Sequence, residues 1–303
     1  MSGPSSRRRP FIQLLVMGLV ASLVAACLAA PARAAPASPR LLSLAPGLTE
    51  IVFAAGAGER LIGTVAYSDY PAAAQSVPRV GDAWRVDLER VVELHPDIVL
   101  AWPTGTPATT IAQLRRLGLE VVEVPTQHLA DVPDALRQVG RLGRTEAQAE
   151  LAAREFETRV ARQRAKYAAR PPLTVFIEID DEPVYTVNGQ HVISEIVELC
   201  GGRNVFATLP QLAPPISTEA VLAADPEVIL NTDDTVADPG ALWRRWPRLR
   251  AVRHGAIYSV SGDLVTRAAP RLADGVDATC AVLDRARAAY RGRSGPDTSG
   301  AQH

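Results

Sequence analysis

The chain has 303 residues, 47% of them hydrophobic and 21% charged, enough material for two modest cores, so a globular and two-lobed protein is expected. Its formal net charge is −1, and setting aside residues 1–34 removes Arg7, Arg8, Arg9 and Arg33 but no acid, leaving 28 Lys and Arg against 33 Asp and Glu. A balance near −5 excludes nucleic acid and anionic membrane surfaces as favoured partners, because both demand positive surface.

Residues 1–34 carry a basic start (Arg7 to Arg9), an apolar run from Phe11 to Ala30 and a small-residue end at Ala32-Arg33-Ala34, the three regions of a secretory signal. Cleavage after Ala34 is expected. Arg8-Arg9 also fits a twin-arginine signal, and Val24 to Cys27 fits a lipobox in which Cys27 would carry a lipid anchor.

Beyond it, Leu41 to Ala45 reads as a buried strand, followed after Pro46-Gly47 by a helix from Leu48 to Ala57. Leu61 to Ala66 is a second strand and Asp87 caps a short helix to Leu94. Asp97 to Ala101 is an apolar strand buried on both faces. A helix to Leu117, a strand from Leu119 to Val124 and a helix from Asp131 to Leu142 complete an alternation that implies a parallel sheet wrapped by helices.

From Thr145 to Ala169 there is no Gly or Pro, and strong helix formers dominate. Thr145 with Gln148 reads as a capping box, acids crowd the first half and bases the second, and Pro171-Pro172 forbids continuation. Such a helix spans roughly 35 Å. Its large apolar residues are few (Leu151, Phe156, Val160, Tyr167), so it suits a helix lying across two lobes.

The alternation then restarts. Strands are expected at Leu173 to Ile179, Val184 to Val187, Glu227 to Asn231 and Ala256 to Val260. Helices are expected at Val192 to Cys200, stopped by Gly201-Gly202, from Ser217, and at Pro270 to Tyr290. Residues 89–100 align without a gap on residues 219–230, each preceded by a helix cap (Asp87, Ser217), and Ile51 to Gly56 aligns on Ile196 to Gly201 in the same order. The expected architecture is α/β, with two similar parallel-sheet lobes joined by one long helix and a ligand cleft between them. It divides the chain into a signal peptide at 1–34, a first lobe at 35–144, a connecting backbone helix at 145–170, a second lobe at 171–290 and a disordered tail at 291–303.

No G-x-S-x-G, P-loop, G-x-G-x-x-G or H-E-x-x-H motif occurs, which leaves a binding protein unopposed by any catalytic signal. After removal of residues 1–34 the thiols are Cys200 and Cys280, and in an oxidising compartment such a pair most simply forms a disulfide. The five histidines show no metal-ligand spacing, so no metal site and no cofactor are expected. In open parallel sheets ligands sit beyond the carboxyl ends of the strands, and those loops carry Tyr67, Tyr70, Trp84, Trp102 and Tyr185. Aromatic residues on exported loops suit a platform for a flat ligand, with Tyr67 taken merely to cap the sheet end. Asp263 and Arg267 would add polar groups from the second lobe.

Six stretches carry a family resemblance: Leu42 to Glu50, Tyr67 to Pro71 (Y-S-D-Y-P), Leu88 to Val92, Pro96 to Trp102 (P-D-I-V-L-A-W), Leu199 to Phe206 and Ala269 to Arg271. They resemble the helical-backbone class of substrate-binding proteins for ABC importers, and within it the vitamin B12 branch, over essentially residues 40–290. The class also serves haem and ferric siderophores. The resemblance implies a periplasmic monomer without enzymatic activity that captures a corrinoid and delivers it to a membrane permease. It implies ligand contacts at Tyr70, Trp84, Trp102 and Tyr185, a Cys200–Cys280 disulfide, and permease docking through Glu89 and Glu219. Ala213 and Leu264 stand where a family member has Trp, so the second lobe is less aromatic than the family's. A haem carrier, with His191 or a cleft Tyr as iron ligand, is the alternative. A siderophore carrier would need cations, with Arg85, Arg203, Arg267 and Arg271 as candidates.

Overall fold

Short apolar segments of the first lobe lie side by side as β1 (Leu41–Ser43), β2 (Leu61–Gly63), β3 (Ile98–Ala101) and β4 (Glu120–Glu123). They form a parallel sheet in the order β2-β1-β3-β4. The computed structural model describes residues 38–82 and 84–293, so the signal at 1–34, Cys27 and the tail beyond 293 lie outside the described residues. Between the strands run α1 (Pro46–Ala54), α2 (Leu88–Glu93) and α3 (Ala108–Arg116), and α4 (Asp131–Gly143) follows β4. The Asp87 carboxylate caps α2 by accepting from Arg90 N at 3.0 Å, as its place before an apolar-periodic segment predicts.

Helix α5 (Glu146–Tyr167) leads to the second lobe. There β5 (Leu173–Glu178) is followed by a small antiparallel pair, β6 (Asp180–Asp181) and β7 (Val184–Tyr185). Then come α6 (Val192–Leu199), β8 (Gly202–Asn204), α7 (Thr218–Ala224), β9 (Val228–Asn231), α8 (Arg250–His254), β10 (Ile257–Ser259), α9 (Gly262–Val265) and α10 (Leu272–Arg293). The second sheet, also parallel, runs β10-β9-β5-β8. Numbered within each lobe, both sheets have the order second, first, third, fourth, so the sequence repeat is a structural one. Residues 89–100 run from α2 into β3 and residues 219–230 from α7 into β9, the third strand of each sheet. The other repeat ends α1 and α6 on Gly56 and Gly201, whose positive φ values of 81° and 72° favour glycine.

The long helix differs from expectation at its start. Thr145 makes no side-chain cap bond, and its buried hydroxyl has no partner among the described residues, so the capping box with Gln148 does not form. Arg144 in the left-handed region (φ 53°) turns α4 directly into α5, and Thr145 N donates to Gly140 O at 2.7 Å instead. Gly140 permits this closeness, since a Cβ there would meet the Ala149 Cβ at 2.3 Å. Ala149, Ala153, Phe156, Val160 and Tyr167 make the buried stripe of α5, while Leu151 is exposed. The segregated charges bind the helix to both lobes. Arg137 of α4 pairs with Glu150 and Glu157 at 2.7 Å each, and Arg159 pairs with Asp274 and Asp277 of α10 at 2.6 and 2.7 Å.

Strand β8 is missed by the sequence reading, which took Gly201-Gly202 only as a helix stop. Gly-Arg-Asn has poor strand propensity, and the strand exists because Gly202 fits between Val197, Leu283 and Val175 with no room for a Cβ. The last helix starts at Leu272 and reaches Arg293, three residues past the expected end. None of the described helices is long and apolar enough to cross a membrane.

Cys200, at the end of α6, is bonded to Cys280 in α10, and both are buried. With a separation of 80 positions in sequence, the bridge removes much freedom from the unfolded chain. Replacing both cysteines with alanine is expected to lower stability by about 2–4 kcal/mol. A urea midpoint unchanged between the variant and the oxidised protein would contradict this.

Candidate functional site

The residues that follow the strand ends of both lobes meet at a cavity of about 130 Å³. Trp102 and Thr104 reach it after β3, and Thr126 and Gln127 after β4. From the second lobe come Gln190, His191 and Val192 at the start of α6, Leu212 from the loop before α7, and Thr266 and Ala268 after α9. None of these residues is an acid, a lysine or an arginine, so the polar lining consists of hydroxyls, amides and one imidazole.

Trp102 is half-buried and locally locked. Its backbone N donates to the Thr106 hydroxyl at 3.1 Å, and Thr106 N donates back to Trp102 O at 2.7 Å. The indole lies over Gly105, where a Cβ would fall 1.8 Å from the ring. Its buried Nε1 has no hydrogen-bond partner among the described residues. Across the cavity, Asn188 organises the loop that brings in His191. Its Oδ1 accepts from Gln190 N at 2.9 Å, its Nδ2 donates to Leu209 O at 3.1 Å, and its carbonyl accepts from the Ser194 hydroxyl at 2.7 Å. The His191 ring caps α6, with Nδ1 accepting from Ile193 N at 3.2 Å, and burial pushes its pKa down to about 4.

A second group of residues ties the lobes together. Glu50 of α1 is almost wholly buried and accepts two bonds from the Arg271 guanidinium, at 2.9 and 2.7 Å. Arg267 lies 3.5 Å from Glu50, 3.2 Å from Asp69 and 3.0 Å from Asp263. The Arg271 guanidinium also sits 4.0 Å over the Tyr70 ring, and the Glu50 bonds hold its pKa above the usual arginine value. The Tyr70 loop is anchored from below by Arg79, which donates to the carbonyls of Ser68, Ala74 and Val77.

The structure therefore separates the expected contact residues. Trp102 lines the cavity; Tyr70, Asp263 and Arg267 join the cluster that bridges the lobes. Asp263 and Arg267 stand in and just after a short helix rather than in a plain loop. Tyr70 also borders a different groove, about 460 Å³, between α1, α5 and the start of α10. Trp84 is 75% exposed in a turn whose Asp82 carboxylate accepts from Trp84 N and Arg85 N. Tyr185 is half-buried in β7 and lines neither space. Tyr67 does not cap the sheet end, being 77% exposed with φ 62°. Glu89 and Glu219 are both exposed and occupy the second residue of α2 and α7. Sequence reasoning missed Glu50, Gln127 and Gln190. Glu50 had a readable signal, an acid inside the apolar run of α1, whereas the two glutamines had none. Among the described residues, Asp180, Asp181 and Asp233 are close enough to share a cation, yet Asp180 and Asp233 accept from backbone N–H groups of their own turns.

Two parallel-sheet lobes with one connecting helix and a cavity where their strand ends meet define a two-lobed binding protein. The chain belongs to the periplasmic binding protein family, whose sequence profile matches residues 41–264. It is 34% identical to the vitamin B12-binding protein of Vibrio cholerae over 245 residues, covering 80% of this chain and 88% of that one. The crystal structure of the periplasmic vitamin B12 binding protein of Vibrio cholerae superimposes with a TM-score of 0.78 at 33% identity, covering 82% of this chain and 98% of that one. A periplasmic haem binding protein from Pseudomonas aeruginosa matches with a TM-score of 0.69 at 25% identity, covering 81% of this chain and 92% of that one.

Proposed function

We propose that this protein is the exported, non-enzymatic receptor of an ABC importer, which captures cobalamin or a related corrinoid between its lobes and delivers it to the membrane permease. The observation that carries the reading is the uncharged lining of the cavity. Cobalamin presents neutral carboxamides around its ring, which suit hydroxyl and amide partners, while Trp102 offers an apolar face. Ordinary tetrapyrrole carboxylates and ferric siderophores would want cations there. Arg267 and Arg271 are the nearest candidates named from the sequence, and the structure commits both to acids. Haem ligation through His191 is further disfavoured, because its Nδ1 is occupied by the helix cap.

Tyr70, Trp84 and Tyr185 would add aromatic contacts to the parts of a corrinoid that extend beyond the cavity, with Asp263 and Arg267 adding polar groups from the second lobe. Glu89 and Glu219 would dock the two lobes on the permease. Residues 1–34 would direct export to the periplasm, with Cys27 as the residue that a lipid anchor would use.

Calorimetric titration with cyanocobalamin, cobinamide, haemin and a ferric siderophore tests the ligand. Saturable binding of the corrinoids is expected, weakened about tenfold or more in Trp102→Ala, the effect of removing one buried aromatic contact. Binding of haemin without either corrinoid would overturn the reading.

A further inference from the structure

Helix N-caps are normally Ser, Thr, Asp or Asn, whose short side chains reach the first free N–H groups. Helix α6 is capped instead by a histidine, an acceptor that gains nothing over serine in that role, so capping alone does not account for the residue. What histidine adds is a second ring nitrogen on the far side of the ring. We infer that His191 is a specificity-determining residue whose Nε2–H donates a hydrogen bond to an uncharged acceptor, a carboxamide oxygen, on the part of the ligand that enters the cavity.

The argument starts with the tautomer. Nδ1 accepts from Ile193 N at 3.2 Å, and an imidazole nitrogen that accepts carries no proton. Burial keeps the ring neutral at ordinary pH. The one remaining ring proton is therefore on Nε2, which makes no hydrogen bond to any described residue, while His191 is one of the residues that line the cavity. The ring has little freedom to change this arrangement. The His191 carbonyl accepts from Ser194 N at 2.9 Å and Glu195 N at 3.3 Å, and the Asn188 network fixes the chain on its other side. Coordination of a metal through Nε2 would require the proton to move to Nδ1, which would break the cap. The same nitrogen is thus a donor and not a metal ligand.

The neighbouring polar groups are of matching character. Thr104, Thr126, Gln127, Gln190 and Thr266 line the same cavity, all neutral and all able to accept or donate. A ligand that reaches His191 must satisfy this donor without bringing net charge, since no cation lines the cavity to balance an anion. A primary carboxamide does so, and its own N–H groups find acceptors among the threonines and glutamines. This inference rests on the corrinoid reading of the cavity and deepens it by naming the ligand group that is read.

The test separates cap from donor. His191→Asn and His191→Ser both keep a cap acceptor but lose the reach into the cavity, whereas His191→Ala loses both. Cyanocobalamin affinity is expected to fall about 3- to 10-fold in the first two, the loss of one neutral hydrogen bond, with thermal midpoints near wild type. His191→Ala should lose affinity and thermal stability together. Long-range nitrogen–proton NMR of the free protein should show the Nε2–H tautomer, and the His191 Nε2–H signal should shift on adding cyanocobalamin. Wild-type affinity in both cap-retaining variants would overturn the inference while leaving the corrinoid reading intact. An Nδ1–H tautomer would overturn it by itself, as would a haemin absorbance shift abolished in His191→Asn. Failure of the wild-type protein to bind any corrinoid would remove the reading and the inference with it.

Discussion

Replacing Arg271 with methionine is expected to lower the unfolding free energy by about 3–5 kcal/mol, the cost of leaving a buried charge without its partner. The Glu50 side chain is 2% exposed and that of Arg271 16% exposed, and two short charge-assisted bonds join them across the lobes. Removing the guanidinium strands the carboxylate. Among the described residues, Arg267 is the compensating cation in reach, at 3.5 Å from Glu50, but it is shared with Asp69 at 3.2 Å and Asp263 at 3.0 Å. Tyr70 would lose the cation over its ring at the same time. Glu50→Gln in the Arg271→Met background should recover part of the loss, because the remaining buried group no longer carries charge. Urea denaturation of the two single variants and the double variant measures the cycle. A drop below about 1 kcal/mol in Arg271→Met would show that Arg267 takes over the pairing, as in a solvated ion pair.

Uptake should fall by about 100-fold or more when Glu89 and Glu219 are both changed to arginine, with cyanocobalamin affinity unchanged, since each acid is proposed to meet a cationic group of the permease, and like charges brought together at a docking surface cost several kcal/mol. The two acids are equivalent in the structure. Each is the second residue of a helix whose cap, Asp87 or Ser217, accepts from the third residue's N–H at 3.0 or 3.2 Å. Each of these helices leads into the third strand of its sheet, so the lobe repeat presents one exposed acid per lobe in the same setting. An acid in the first turn of a helix is also favourable by itself, by about 0.3–1 kcal/mol, and the thermal midpoint of the double variant reads that contribution separately. Normal transport in a variant that still folds and binds would discard the docking role.

Much of the fold was legible because it is written in local pattern. The apolar runs at 41–45 and 97–101, the cap residues Asp87 and Ser217, and the glycines at 56 and 201 each act within a few residues, and their repetition announced a second lobe. The failures were tertiary. The Thr145–Gln148 box follows a sound local rule, but the tight turn at Arg144 that packs α4 on α5 overrides it. Strand β8 has no propensity of its own and is made by the space beside β5.

The candidate site was legible to a smaller degree. Trp102 could be placed in the cavity because it directly follows a buried strand. Its neighbours there extend to Ala268, and no spacing rule joins residues so far apart. The role of the charges was also hidden, for Arg267 and Arg271 look in sequence like cations free to meet an anionic ligand. Sequence by itself determined two repeated α/β lobes, a connecting helix and the pair of cysteines, since these depend on short-range periodicity, capping and residue count. Only the tertiary structure decided that the cavity is uncharged and that His191 faces it as a donor. Those properties depend on which side chains are neutralised by partners about 200 residues away, such as Glu50 with Arg271, and on which ring nitrogen a helix end has already claimed.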